Sequence, residues 1–155
     1  MHNNLGQLNR FEYDIVKWNK VKINDKFVFP LEFDLAPLID STNDNKEEDK
    51  ILYTLVGIIN HCGTSEGGHY MSYIKHGEKW YNFNDSSVSE AIEKTLLDEA
   101  YGTEKKTSTT SNYYEEDVFN RQSAYLLFYV RKESFDALMN ETQLSLEKEI
   151  DSNDQ

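Results

Sequence analysis

Tyr53-Thr54-Leu55-Val56-Gly57-Ile58-Ile59-Asn60 runs into His61-Cys62-Gly63-Thr64-Ser65-Glu66-Gly67-Gly68 and then His69-Tyr70-Met71-Ser72-Tyr73-Ile74-Lys75. The first run, from Ile51 to Asn60, is the most apolar in the chain and rich in β-branched residues, as a buried central strand requires. Three glycines then punctuate a mobile turn, and a second strand follows from His69 to Lys75. A third, Lys79 to Asn84, comes after His76-Gly77-Glu78, where glycine at the first central position suits a two-residue hairpin turn.

Outward from this block the pattern stays short and β-like. Phe11, Tyr13 and Ile15 alternate against Glu12, Asp14 and Val16, and Val21, Ile23 and Phe27-Val28-Phe29 precede Pro30, which predicts strands joined tightly between Phe11 and Leu38. Asp40 to Lys50 is a charged run without apolar periodicity and reads as a solvated loop. Ser89 stands before Glu90-Ala91-Ile92-Glu93, with Ile92, Leu96 and Leu97 at helical spacing, so Ser89 is the expected N-cap of a short helix ending near Gly102. Thr103 to Asn120 is polar and reads as a surface insertion. Ser123 to Val130 predicts another buried strand, and Phe135, Leu138, Thr142, Leu146 and Ile150 mark a weak stripe on an acidic final helix or tail over 132–155. Element by element this is an α+β fold, mainly antiparallel, with a short helix and a C-terminal helix.

The bulk numbers narrow the function. A chain of 155 residues is the size of one domain. Its aromatic share of 13%, with ten Tyr and eight Phe, favours sheet packing. A formal net charge of -12 repels a phosphate backbone and argues against nucleic acid. Cys62 is the single cysteine, which excludes an internal disulfide and a thiolate-rich zinc site and fits a reducing compartment. No run approaches the roughly 20 apolar residues of a membrane helix, and Met1-His2-Asn3-Asn4 lacks a signal peptide's apolar region. A cytoplasmic or nuclear protein is expected.

Pairing the hairpin about Gly77-Glu78 sets His76 opposite Lys79, Met71 opposite Asn84 and His69 opposite Ser86. His69 and Asn84 then share a face as diagonal neighbours about 7–8 Å apart along the backbone, within reach of an imidazole and an amide oxygen. Asp85 is expected on the other face, and a one-residue change in the turn would exchange the two. An imidazole with one nitrogen held is oriented, and its other nitrogen can take a proton from a thiol. For a thiol a neutral Asn serves, because the thiolate–imidazolium pair needs orientation more than added charge. The same residues could equally be a strand histidine and an asparagine that only satisfy hydrogen bonds. Cys62 is the internal candidate nucleophile, although free cysteine on a buried strand behaves mostly as a small apolar residue. A metal site from His61, Cys62, His69 and His76 is disfavoured, because His69 and His76 face opposite ways on one strand; no metal or other cofactor is expected.

The run Tyr53 to Ile74, with Lys79-Trp80-Tyr81-Asn82-Phe83-Asn84-Asp85-Ser86-Ser87-Val88, resembles the histidine box of ubiquitin-specific proteases. Leu8-Asn9-Arg10-Phe11-Glu12-Tyr13-Asp14, Lys22-Ile23-Asn24-Asp25 and Phe29-Pro30 look like the preceding palm region, and Ala124-Tyr125-Leu126-Leu127-Phe128-Tyr129 like the closing strand, so the resemblance covers roughly 8–131. It implies the palm subdomain of a papain-like cysteine protease and a thiol-dependent deubiquitinase acting on ubiquitin or ubiquitinated proteins. By resemblance His69 matches the catalytic histidine, Asn84 the position filled by Asp or Asn, and Asp85 a second polar position. Gly67, Gly68 and Tyr70 match part of the channel for ubiquitin's tail, and Gly63 to Gly67 a blocking loop. The family's nucleophile box, finger region and CxxC pairs have no match, and Met1 to Gln7 is too polar to fill the usual strand before Arg10. The chain therefore reads as a histidine-box half, inactive alone, with an N-terminal thumb segment as missing partner. The alternatives are a non-catalytic ubiquitin-binding or scaffold module and a self-contained protease using Cys62.

Overall fold

The computed structural model describes residues 3–16, 18–38, 50–103 and 121–153, with side chains from Asn4 to Thr142. The loop expected over 40–50 and the insertion over 103–120 fall almost wholly outside these residues, as do the side chains of Leu146 and Ile150. Among the described residues the strands are β1 (Asn3–Gln7), β2 (Phe11–Asp14), β3 (Asn19–Lys22), β4 (Glu32–Asp34), β5 (Leu52–Gly63), β6 (Gly68–His76), β7 (Lys79–Asn84), β8 (Ser87–Ala91) and β9 (Gln122–Arg131). The helices are α1 (Glu93–Tyr101) and α2 (Lys132–Asn153), and one 3-10 turn covers Ala36–Leu38. The fold is α+β and mainly antiparallel.

One sheet runs β1-β9-β5-β6-β7-β8, with β4 on the part of β5 that β6 leaves free, and β2 and β3 form a separate ribbon. β5 is central, as its apolar run requires, and extends to Gly63, beyond the expected end at Asn60. The β6–β7 register is the one read from Gly77-Glu78, with His76 opposite Lys79 and Ser72 opposite Phe83. Gly77 has φ 59, which glycine adopts without a Cβ penalty.

The core lies on one face of this sheet. Leu55, Ile58, Tyr73, Trp80 and Leu127 are buried there with Leu96 and Ala100 of α1. Two carboxylates of α1 anchor it: Trp80 Nε1 donates to Glu93 Oε2 at 2.9 Å, and the Tyr73 hydroxyl donates to Glu99 Oε2 at 2.7 Å. Burial, and then that bond to Glu99, push the Tyr73 pKa upward. These bonds satisfy polar atoms that the apolar surroundings would otherwise strand.

Four local expectations are overturned. Ser89 is not a helix cap: it pairs with Asn82 in β8, and α1 begins at Glu93 after Ile92, which makes no side-chain cap bond. The alternating Ser87-Val88-Ser89-Glu90 tracks the edge of β7, and cross-strand pairing outweighs the capping preference. Ile15 and Val16 do not continue the strand but form the exposed β2–β3 turn. Phe27 to Phe29 form no strand, since Lys26 and Phe27 donate their amides to Thr103 and Tyr101 beside α1, and Phe29 is buried against the Tyr101 ring. Asn3 to Gln7 do fill a strand, β1, beside β9; an edge strand tolerates polar side chains because one side stays in solvent.

Candidate active site

His69 begins the face that includes Met71 and Tyr73, and Asn84 ends β7. His69 Nε2 lies 2.5 Å from Asn84 Oδ1. An amide oxygen only accepts, so Nε2 carries the hydrogen and donates it, leaving the Nδ1 lone pair free. The alternation of β6 and β7 therefore brings the imidazole and amide together.

The expected place of Asp85 is corrected. Asp85 and Ser86 form the two-residue turn between Asn84 and Ser87, and Asp85 takes φ 51. This left-handed turn ends the strict two-residue alternation and swings the side chain back, putting Asp85 Oδ2 at 4.0 Å from His69 Nε2. The carboxylate is largely in water, so its attraction for the ring is modest. Asp85 faces the same Nε2 that donates to Asn84, beyond hydrogen-bond distance, and acts on the ring through its charge alone.

Cys62 stands directly opposite His69 in the β5–β6 ladder, and Gln122 stands opposite it on the other side. The thiol and imidazole therefore leave the sheet on one face. Backbone pairing on both flanks of Cys62 leaves its stretch of β5 without the free N–H groups that stabilise an acyl-transfer oxyanion. Among the described residues no three metal-ligating side chains converge, and no helix is long and apolar enough to cross a membrane.

Adjacent strand residues diverge, so Tyr70 leaves on the face opposite His69. Gly67, Gly68 and Tyr70 line a groove of about 460 Å³ with Phe11, Glu12, Tyr13, Lys20, His61, Thr64, Ser65 and Glu66. His69, Asn84 and Asp85 are not in its wall. Gly68 lines the groove and is followed directly in β6 by His69, so the groove and the imidazole–amide pair adjoin along this strand.

The need for glycine at 68 is steric. A Cβ there would lie 2.2 Å from the Cys62 carbonyl oxygen and 2.5 Å from His61 Nε2. His61 is the groove floor, buried, with its ring 5.3 Å from Phe11 and 4.7 Å from Tyr70. Burial, reinforced by the Lys22 charge, lowers the His61 pKa. Lys22 Nζ donates to the carbonyls of His61 at 2.6 Å and Arg121 at 3.0 Å, and burial presses its pKa down to about 8. The glycine turn is tied across the groove, with Ser65 Oγ donating to the Lys20 carbonyl at 2.5 Å and Thr64 N donating to Gly67 O at 2.9 Å. Sequence reasoning passed over His61, Lys22 and Ser65 in these roles. Only the pairing of Gly63 with Gly68, which sets His61 opposite Tyr70, was open to sequence reasoning, through the glycine spacing.

The fold and this site define a palm subdomain of the α+β papain-like cysteine proteases. The family model described as ubiquitin carboxyl-terminal hydrolase matches residues 6–129, and the chain belongs to that family, among the ubiquitin-specific proteases. It is 34% identical over 148 residues to ubiquitin carboxyl-terminal hydrolase 15 of Saccharomyces cerevisiae, matching 86% of this chain and 12% of that protein. With ubiquitin carboxyl-terminal hydrolase 15 of Schizosaccharomyces pombe it is 38% identical over 137 residues, with the same coverage. Among solved structures it is similar to the yeast SAGA DUB module bound to ubiquitin aldehyde, with TM-score 0.62 and 28% identity over 84% of this chain and 24% of that one. It is also similar to that module bound to monoubiquitin, with TM-score 0.59 and 27% identity over 84% of this chain and 23% of that one. The chain thus spans about an eighth of the length of these curated relatives.

Proposed function

We propose that these residues form the histidine half of a thiol-dependent deubiquitinase that cleaves after ubiquitin's C-terminal glycine. His69 acts as general base through Nδ1, Asn84 holds Nε2, and Asp85 stabilises the imidazolium once the thiol proton has arrived. The His69–Asn84 bond is the observation that carries this reading, because it fixes the tautomer and ring plane that proton transfer needs. The ubiquitin tail lies along Gly67, Gly68 and Tyr70. Its two terminal glycines pass Gly68, where neither chain has a side chain, to reach the His69 face.

The nucleophile comes from a thumb segment outside these residues, and the 155 residues alone are inactive. The face shared by Cys62 and His69 favours a second reading, a self-contained protease, which the committed backbone around Cys62 opposes. Incubation with ubiquitin carrying a thiol-reactive C-terminus separates the readings. The expected result is resonance perturbation at Gly67 to Tyr70 without a covalent adduct, and an Nε2–H signal of His69 that Asn84→Ala abolishes. An adduct at Cys62, lost in Cys62→Ala, would establish the self-contained protease instead. Perturbation with no dependence on Asn84 would leave only a binding module.

A further inference from the structure

Among the described residues the main sheet ends at β8. This strand pairs with β7 without a register shift, and all of its residues but Ala91 are exposed. The pair of Asn84 with Ser87 closes the two-residue turn, so it exchanges both ladder bonds, and bonded and open pairs alternate from there. Phe83 with Val88 and Tyr81 with Glu90 are the open pairs. The N–H and C=O groups of Val88 and Glu90 therefore point away from β7, and they take no other backbone partner among the described residues. Edges are commonly blunted by proline, lysine or a bulge, and β8 has none of the three. It offers a backbone template for one further strand.

The template leads to the candidate active site. Ser87 lies opposite Asn84, so both side chains leave on the face where Asn84 meets His69. Ser89 lies opposite Asn82 on the same face. A side chain of the added strand set beside Ser87 would cross only serine and asparagine on its way to His69. Two strand spacings, about 10 Å, separate that strand from β7, so a long, flexible arm such as lysine's is the one suited to the path. Charge agrees: Glu90 is balanced by Lys79 at 2.8 Å, but the Asp85 carboxylate, 82% exposed at the start of β8, favours a cationic segment, as does the net charge of -12.

We propose that the free edge of β8 binds an extended, lysine-bearing segment of the protein to which ubiquitin is joined, with the modified lysine laid over Ser87 and Asn84 towards His69. This rests on the deubiquitinase reading above and assigns a surface to the leaving side of the isopeptide bond, which the groove does not serve. Main-chain pairing at Val88 and Glu90 supplies affinity for any extended sequence, and Asp85 adds a preference for basic neighbours of the lysine.

On that reading the chain alone leaves the isopeptide bond intact, so a conjugate can serve as the probe: ubiquitin joined through its C-terminal glycine to the lysine of a short peptide rich in Thr, Val and Arg. The conjugate should bind about ten-fold tighter than free ubiquitin. The added protection from amide exchange should fall on Val88 and Glu90, whereas Ser87 and Ser89, already bonded to β7, should change little. Val88→Pro removes an outward N–H but no ladder bond, so the fold and the affinity for free ubiquitin should hold while the conjugate loses most of its advantage. A conjugate N-methylated along the peptide backbone should bind the unaltered chain no tighter than ubiquitin does.

Equal affinity for conjugate and free ubiquitin, or a gain that neither Val88→Pro nor backbone methylation reduces, would overturn the edge site and leave the functional reading standing. Protection of Val88 and Glu90 that rises with the concentration of the chain alone would overturn it in favour of a second copy on the edge. Failure of the unaltered chain to bind ubiquitin in either form would overturn the functional reading, and this inference with it.

Discussion

At the residue scale, the groove floor makes the chain sensitive to acid. His61 is buried neutral, with its pKa held below the ordinary 6.5 by burial and by the Lys22 ammonium. In the unfolded chain the same ring takes up a proton as pH falls through that value, so the unfolded state gains protons the folded state refuses. The stability due to neutral His61 is thus present above about pH 6.5 and is lost below it. Denaturant midpoints measured from about pH 7.5 to about pH 5.5 should fall more steeply for the parent than for His61→Gln, which cannot protonate. Equal slopes would mean that the ring is not desolvated. The pairing of His69 with Asn84 was legible from the sequence because strand parity about Gly77-Glu78 is a local property. The place of Asp85 was not, because the left-handed turn at Asp85-Ser86 interrupts that parity.

At the element scale, three glycines of the β5–β6–β7 meander test different physics. Gly68 has no room for a methyl group against the Cys62 carbonyl and His61, both held in the ladder, so Gly68→Ala should cost about 1–3 kcal/mol through overpacking. Gly77 has open space but φ 59, and Gly77→Ala should cost only about 1 kcal/mol, the left-handed penalty. Gly67 has nothing within 4 Å, so Gly67→Ala should stay within about 0.5 kcal/mol. Urea denaturation of the three variants checks the ranking; a Gly68→Ala variant as stable as the parent would show that β5 and β6 separate more easily than their register implies. Apolar runs made the central strands readable in the sequence. Edge elements were misread, as at β1 and β8, because an edge strand need not be apolar; β1 in addition pairs with β9, a neighbour distant in sequence.

At the scale of the whole molecule, the sheet is covered unequally. α1 and the buried aromatics occupy one face, while Tyr70, Ile74, Phe83 and Phe128, exposed by 50%, 45%, 36% and 38%, project from the other, along with Leu5 beside Phe128. A continuous half-exposed apolar face favours association and dye binding. The chain should bind a fluorescent hydrophobic probe in its native state. Ile74→Thr with Phe83→Thr should reduce that signal while changing stability by no more than about 1 kcal/mol, since neither side chain is in the core. A large loss of stability on these substitutions would show that the face is packed in solution.

The sequence by itself determined the class of fold, the family, the hairpin register and the meeting of His69 with Asn84. Each depends on periodicity, turn chemistry or a motif, and all of these are written within a few neighbouring residues. Only the tertiary structure decided that His61 underlies Gly68, that Ser65 ties the glycine turn to Lys20, and that the groove and the imidazole lie on different faces and adjoin along β6. The tie from Ser65 to Lys20 joins residues 45 positions apart, and even the nearer contact of His61 with Gly68 draws its energy from packing and desolvation in three dimensions, which no local pattern encodes.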